Sequence, residues 1–347
     1  MKGRLPQSIR PLLRNGGEEM RRVFALAAAL ALLCLGSLAQ ANITIVTVPV
    51  GDARNWPDNY GWGQVTYTYN IGKYEVTAGQ YTAFLNAVGA TDTYTLYNAN
   101  MWSSNYGCKI ERSGSPGSYT YSVASGYANR PVNYVSWGDS ARFANWLHNG
   151  QPTGLQNALT TEDGAYVIDH ATTNAKLQEV TREADWRWAI TSEDEWYKAA
   201  YYKGGNTNAG YWNFPTRTDA WPGRDMADAS GNNANYGRTP PYPIDSPYYT
   251  TVAGEFQNSR SPYGTFDQGG NVREWNEIII GAKRCLRGAA FYFLDASYIQ
   301  ADYRDSDYPA NEDFLTGFRV SAVPEPSSLI ALAAGLVGLL GIRRRRA

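Results

Sequence analysis

Cysteine and histidine are scarce: the 347 residues hold 3 Cys and 2 His. Cys34 lies in an apolar N-terminal stretch, which leaves Cys108 and Cys285, too few for a disulfide framework. No Cys-x-x-Cys pair and no Cys/His cluster occurs, which argues against a zinc site. His148 and His170 have no His or Cys neighbour at ligand spacing, and with no third His an iron facial site is not expected. Charged residues make up 18%, against about 25% in ordinary domains. No interior apolar run is long enough for a membrane bundle. What is present is 34 Gly and 17 Pro, spread throughout, and 14% aromatics dominated by 26 Tyr and 11 Trp. The Gly and Pro exclude a long coiled coil, and the aromatics exclude a disordered chain. The middle of the chain reads as a loop-rich globular domain with a sizeable core.

The ends are of a different character. Met20-Arg21-Arg22, an apolar run over residues 23–35 and Ala39-Gln40-Ala41 are the parts of a secretory signal peptide, with cleavage expected after Ala41. The last residues run Val323-Pro324-Glu325-Pro326, then an apolar stretch over 329–342, then four Arg at 343–346. As a helix that stretch would span roughly 21 Å, short of a hydrocarbon core of about 30 Å, so it is marginal as a permanent span. The Arg cluster would stay cytoplasmic. With the ends set aside, the middle holds 21 basic against 29 acidic residues. An acidic domain is a poor match for nucleic-acid phosphates and suits a soluble exported protein.

An alternating stretch over residues 67–74 predicts a strand. Thr77 then caps a helix with Tyr81, Phe84, Leu85 and Val88 on one face. Ser136 with Asp139 forms a capping box for a second helix, with Phe143, Trp146 and Leu147 inward and a stop at Asn149-Gly150. Thr191 with Asp194 reads as the box of a third, with Trp196, Ala199 and Ala200 inward. Residues 204–265 are rich in Asn, Gly, Pro and Tyr and read as ordered loops. Short strands are expected at Glu274-Trp275, 285–287 and 317–320. Cys285, in a strand-like setting, reads as a small buried hydrophobe, although an oxidising compartment would permit it to pair with Cys108.

Six segments in order carry a family resemblance. They are Ile71-Gly72-Lys73-Tyr74-Glu75-Val76-Thr77, Arg130-Pro131-Val132-Asn133-Tyr134-Val135-Ser136-Trp137, Thr191-Ser192-Glu193-Asp194-Glu195-Trp196, Gly269-Gly270-Asn271-Val272-Arg273-Glu274-Trp275, Leu286-Arg287-Gly288 and Gly317-Phe318-Arg319-Val320. Residues 42–322 thereby resemble the formylglycine-generating enzyme, or sulfatase-modifying factor, family. The resemblance implies a compact, loop-rich α+β fold related to C-type lectins. Members of that family oxidise a sulfatase cysteine with a copper(I) ion held by two cysteines five apart. Here those positions fall on Phe293 and Tyr298, and a neighbouring serine position on Ala290. Copper(I) needs soft thiolates, which rings cannot supply, so no catalytic residue and no copper site are expected. The resemblance also implies calcium, one set being Asp267, the Gly270 and Val272 carbonyls and Glu274, a second being Asn235 and the Tyr236 carbonyl.

The C-terminal layout resembles the PEP-CTERM sorting signal. It implies an exosortase-type peptidase as partner, transient inner-membrane insertion of the tail, and release or attachment at the cell surface or matrix. Two functions stand open. One is a non-catalytic surface or matrix module whose Tyr and Trp side chains contact a polysaccharide or peptide. The other is an enzyme of altered chemistry, for which Asp295, Asp302, Arg304, Asp305 and Asp307 offer acid–base groups, although a solvated acidic loop is the commoner meaning of such a run.

Overall fold

The computed structural model describes residues 42–237 and 243–324. The expected signal peptide and the sorting tail beyond Pro324 lie outside the described residues. Five helices are present in the described chain: α1 (Ala78–Val88), α2 (Asn100–Ser103), α3 (Trp137–His148), α4 (Asn174–Glu179) and α5 (Glu193–Tyr201). The three longest open on reciprocal capping boxes, which satisfy two orphan N–H groups each. For α1 the pair is Thr77 and Gln80, and for α3 it is Ser136 and Asp139. For α5 the pair is Ser192 and Glu195, one residue later than the sequence reading placed it. The shift has a cause. Arg182 grips both Glu195 oxygens at 2.8 and 3.0 Å and fixes that side chain where it can accept from the Ser192 N–H. Asp194 instead accepts from the Gly63 N–H at 2.7 Å.

Among the described residues ten short strands form three sheets. β1 (Thr47–Val50), β2 (Tyr69–Gly72), β5 (Trp188–Ile190) and β10 (Val320–Ala322) make an antiparallel sheet ordered β1-β2-β10-β5. β3 (Ile110–Ser113) and β4 (Thr120–Val123) form a hairpin. β6 (Arg273–Ile280), β7 (Lys283–Arg287), β8 (Asp305–Asp307) and β9 (Thr316–Gly317) form the third, ordered β8-β7-β6-β9. The strand expected over 317–320 is in fact two: Gly317 ends β9 in one sheet and Val320 begins β10 in another, leaving Phe318 and Arg319 as the joint. Among the described residues no helix or strand falls between Tyr201 and Arg273, as the composition of that stretch predicts.

The main core is where α1, α3, β5 and the Phe318 joint meet. Tyr81, Phe84, Leu85 and Val88 of α1 are all buried, as are Phe143, Trp146 and Leu147 of α3. Phe143 stands edge-on to both Phe84 and Phe318, at 5.3 Å in each case, a geometry aromatic quadrupoles favour. Smaller clusters stabilise the loop region, and one of them carries the site.

Candidate functional site

β7 ends at Arg287, and the chain then turns through two residues with positive φ, Gly288 (98°) and Ala289 (59°). A side chain at Gly288 would meet the Gln268 carbonyl at 2.9 Å and the Trp196 ring, so this close approach requires glycine. The turn delivers residues 290–298 onto a small apolar cluster of Phe214, Ala234, Tyr236, Ala289, Ala296 and Ile299. Phe293 and Tyr298 pack against that cluster, their ring centroids 4.9 Å apart, and Tyr303 stands edge-on to Tyr298 at 4.9 Å. The two positions that the resemblance assigns to metal-binding thiolates are thus adjacent in space and filled by carbon.

Neither remaining cysteine replaces them. Cys108 and Cys285 are both buried and both free. Cys285 is fully buried in β7, as expected of a small hydrophobe, and its thiol donates to Glu193 at 3.3 Å. Burial, then the Glu193 charge, push this thiol up to about 12. Burial pushes Cys108 up to about 11. At neutral pH neither is the thiolate that copper(I) or nucleophilic chemistry uses.

The carboxylates considered for altered chemistry are engaged elsewhere. Arg273 pairs with Asp305 at 2.6 Å and with Asp313, and stands 3.8 Å from Asp307. Arg304 pairs with Glu193, which also accepts from Arg287 at 2.6 Å. Asp295 caps the 3-10 turn Ala296–Ile299 by accepting from the Ser297 N–H at 2.7 Å. Asp302 lines a separate surface depression with Asp58 and Tyr60. Sequence reasoning gave Arg273, Arg287 and Glu193 no role. Their presence inside the shared motifs was the signal, and long-range pairing is what a linear reading could not supply.

The residues named for calcium come together only in part. Asn235 lies beside Gly270, and its carbonyl accepts from the Asn271 N–H at 2.8 Å. The Tyr236 carbonyl accepts from Arg224. Val272 is buried in the main-sheet approach to β6. Asp267 accepts from the Gly254 N–H at 2.6 Å. Glu274, fully buried, has both oxygens committed: Arg319 binds them at 2.6 and 2.7 Å, and the Trp196 indole N–H donates at 2.8 Å. A fully buried guanidinium therefore holds the Glu274 carboxylate that an ion would use. Glu75, overlooked in the sequence, lies in the field of Asp267, Arg319 and Glu274, with neither oxygen hydrogen-bonded. Burial, then the Asp267 charge, hold its carboxyl well above the usual range. Among the described residues no three His, Cys, Asp or Glu side chains form a group able to hold a metal ion. As arranged, Arg319 rather than an ion neutralises Glu274.

A second aromatic surface adjoins the turn. Tyr106 stacks on Phe314 at 4.8 Å and meets Tyr249 edge-on at 4.6 Å, while Tyr292 stands edge-on to Phe314 at 5.6 Å.

Fold and site together define a mixed helix-and-strand domain, rich in loops, built on buried Arg–carboxylate pairs. Residues 45–322 match the model of the sulfatase-modifying factor enzyme 1-like domain, and the chain belongs to that family. Residues 322–346 match the PEP-CTERM protein-sorting motif, which marks the protein for export and for C-terminal processing by an exosortase-type enzyme. Similar solved structures include the Treponema denticola variable protein 1 (20% identity, 82% of this chain and 99% of that one, TM-score 0.49). CarF is similar at 19% identity over 81% and 99% (TM-score 0.49). PvdO from Pseudomonas aeruginosa is similar at 18% over 80% and 91% (TM-score 0.43). No curated protein sequence matches the chain.

Proposed function

We propose that this protein is an exported member of its family that has lost the copper-dependent cysteine oxidation and works by binding, as a module of the cell surface or matrix. Residues 1–41 would be removed as a signal peptide, residues 42–322 would form the working domain, and the tail from 323 would be cut after transient membrane insertion. The carrying observation is the Phe293–Tyr298 ring pair, 4.9 Å apart on an apolar cluster. A soft cation has no ligand there, and the two cysteines elsewhere are buried, protonated thiols. The aromatic face of Tyr106, Tyr292 and Phe314 offers the large, rigid contact area that binding surfaces favour.

The test is incubation of the purified protein with copper(I), oxygen and a Cys-x-Pro-x-Arg peptide, followed by mass spectrometry of the peptide. Unchanged peptide is expected. Formylglycine in the product would overturn the reading.

A further inference from the structure

Two open troughs, of about 640 and 600 Å³, share walls at Arg217, Ser230 and Gly231. Lys73 and Arg260 line the first, Lys203 lines the second, and Arg217 lines both. Among the described residues, none of these four cations pairs with a carboxylate. The middle of the molecule holds 29 acidic residues against 21 basic ones. Eight of its other arginines, such as Arg142, Arg182 and Arg319, are each gripped by an acid.

The two lysines are held over aromatic rings. The Lys203 ammonium lies 4.3 Å over the Trp212 ring, and that of Lys73 lies 5.2 Å over Phe266. Arg217 has φ of 61°, a conformation that bulky residues avoid and that recurs at ligand sites. Burial, then the nearby Arg260 charge, press its guanidinium below its ordinary value. At the shared wall Gly231 has φ of 83°, and a Cβ there would strike the Asn258 carbonyl at 2.8 Å, so two loops are locked together under the cations. The carboxylates bonded to lining residues are themselves engaged. Asp228 accepts from Ser230 and Asn233, and Asp52 accepts from the Tyr263 hydroxyl at 2.7 Å and from the Gly205 N–H.

We propose that this double trough binds an acidic polysaccharide, with its carboxylate or sulfate groups on Lys73, Lys203, Arg217 and Arg260. Guanidinium forks match carboxylate and sulfate oxygens. Gln257 and Asn258 supply amides for ring hydroxyls. The cations sit inside polar concavities rather than on an apolar protrusion, which disfavours a bilayer. The acidic surroundings disfavour a polyanion as charge-dense as nucleic acid. The proposal stands apart from the loss of oxidase chemistry and does not depend on it.

The test is surface plasmon resonance of the full purified protein over immobilised polygalacturonate, dextran sulfate and neutral dextran. Binding to one or both acidic polymers is expected, weakening as salt rises, with none to neutral dextran. Polygalacturonate against dextran sulfate separates carboxylate from sulfate recognition. The double variant Arg217→Gln with Arg260→Gln removes two exposed side chains; it should keep the wild-type melting temperature and lose about tenfold or more in affinity. Lys176→Gln, an exposed cation on α4, should bind as wild type. Should the double variant misfold, Lys203→Gln alone serves, with a loss of several-fold expected. Equal binding by all variants, binding to neutral dextran, or tighter binding to DNA or anionic vesicles than to either polymer would overturn the proposal.

Discussion

Glu274 and Arg319 are each fully buried and bound to one another through two hydrogen bonds. Arg319 also donates to the Gly72 and Phe266 carbonyls, at 3.1 and 3.0 Å, so one side chain ties β6, β2 and the loop before β6 together. Removing one partner leaves the other charge stranded in the core, which typically costs 3–5 kcal/mol. Glu274→Gln should lower unfolding stability by about that amount in a urea titration, and a change under about 1 kcal/mol would show the pair to be dispensable. Glu312 makes a different point. Burial, then the Asp139 charge, push its carboxyl up to about 8, against roughly 4.3 in an unfolded chain. A raised acid favours the folded state while protonated, so that contribution is full below about pH 4 and is lost as pH rises through 8. Melting temperature should therefore fall from about pH 4 to about pH 8, and Glu312→Gln should flatten the fall. An unchanged profile in the variant would remove Glu312 from the account.

At the scale of elements, α5 separates the two readings of its start. Ser192→Ala should cost about 1 kcal/mol, the usual worth of an N-cap. Thr191→Val should be neutral or mildly stabilising, because the Thr191 hydroxyl is buried without a partner. If Thr191→Val were the costlier change in thermal melts, the cap would lie where the sequence first suggests. The first two helices were legible because their signals are local: a cap, an acid or amide three residues on, and an apolar stripe. The third start was misjudged by one residue because Glu195 is positioned by Arg182, which a helix-local reading does not weigh. The break between Gly317 and Val320 was illegible for the same reason. Which sheet a strand joins depends on partners far along the chain, here Arg273–Glu274 for β9 and Ile71 with Ile190 for β10.

At the scale of the whole molecule, family membership was readable because six short segments recur in order, and the ring pair because it stands at fixed spacing after Arg287-Gly288. The motif does not disclose that Arg319 reaches the Glu274 carboxylate or that Arg224 reaches the Tyr236 carbonyl. With Arg319 filling the Glu274 position, neither added calcium nor EDTA should move the melting temperature, whereas a bound ion at saturating concentration would raise it by mass action. The basic double trough was likewise invisible in sequence: Lys73, Lys203, Arg217 and Arg260 are scattered over 188 positions of an acidic chain and meet only through irregular loops.

The central claim is that aromatic rings have taken the place of the copper ligands. It is tested most directly by titrating the reduced protein with copper(I) against a competing chromogenic chelator. The chelator should retain all the metal at stoichiometric protein, with Phe293 and Tyr298 in place and Cys108 and Cys285 protonated. One copper(I) withdrawn per chain, and lost again when Cys108 or Cys285 is changed to Ser, would contradict the account.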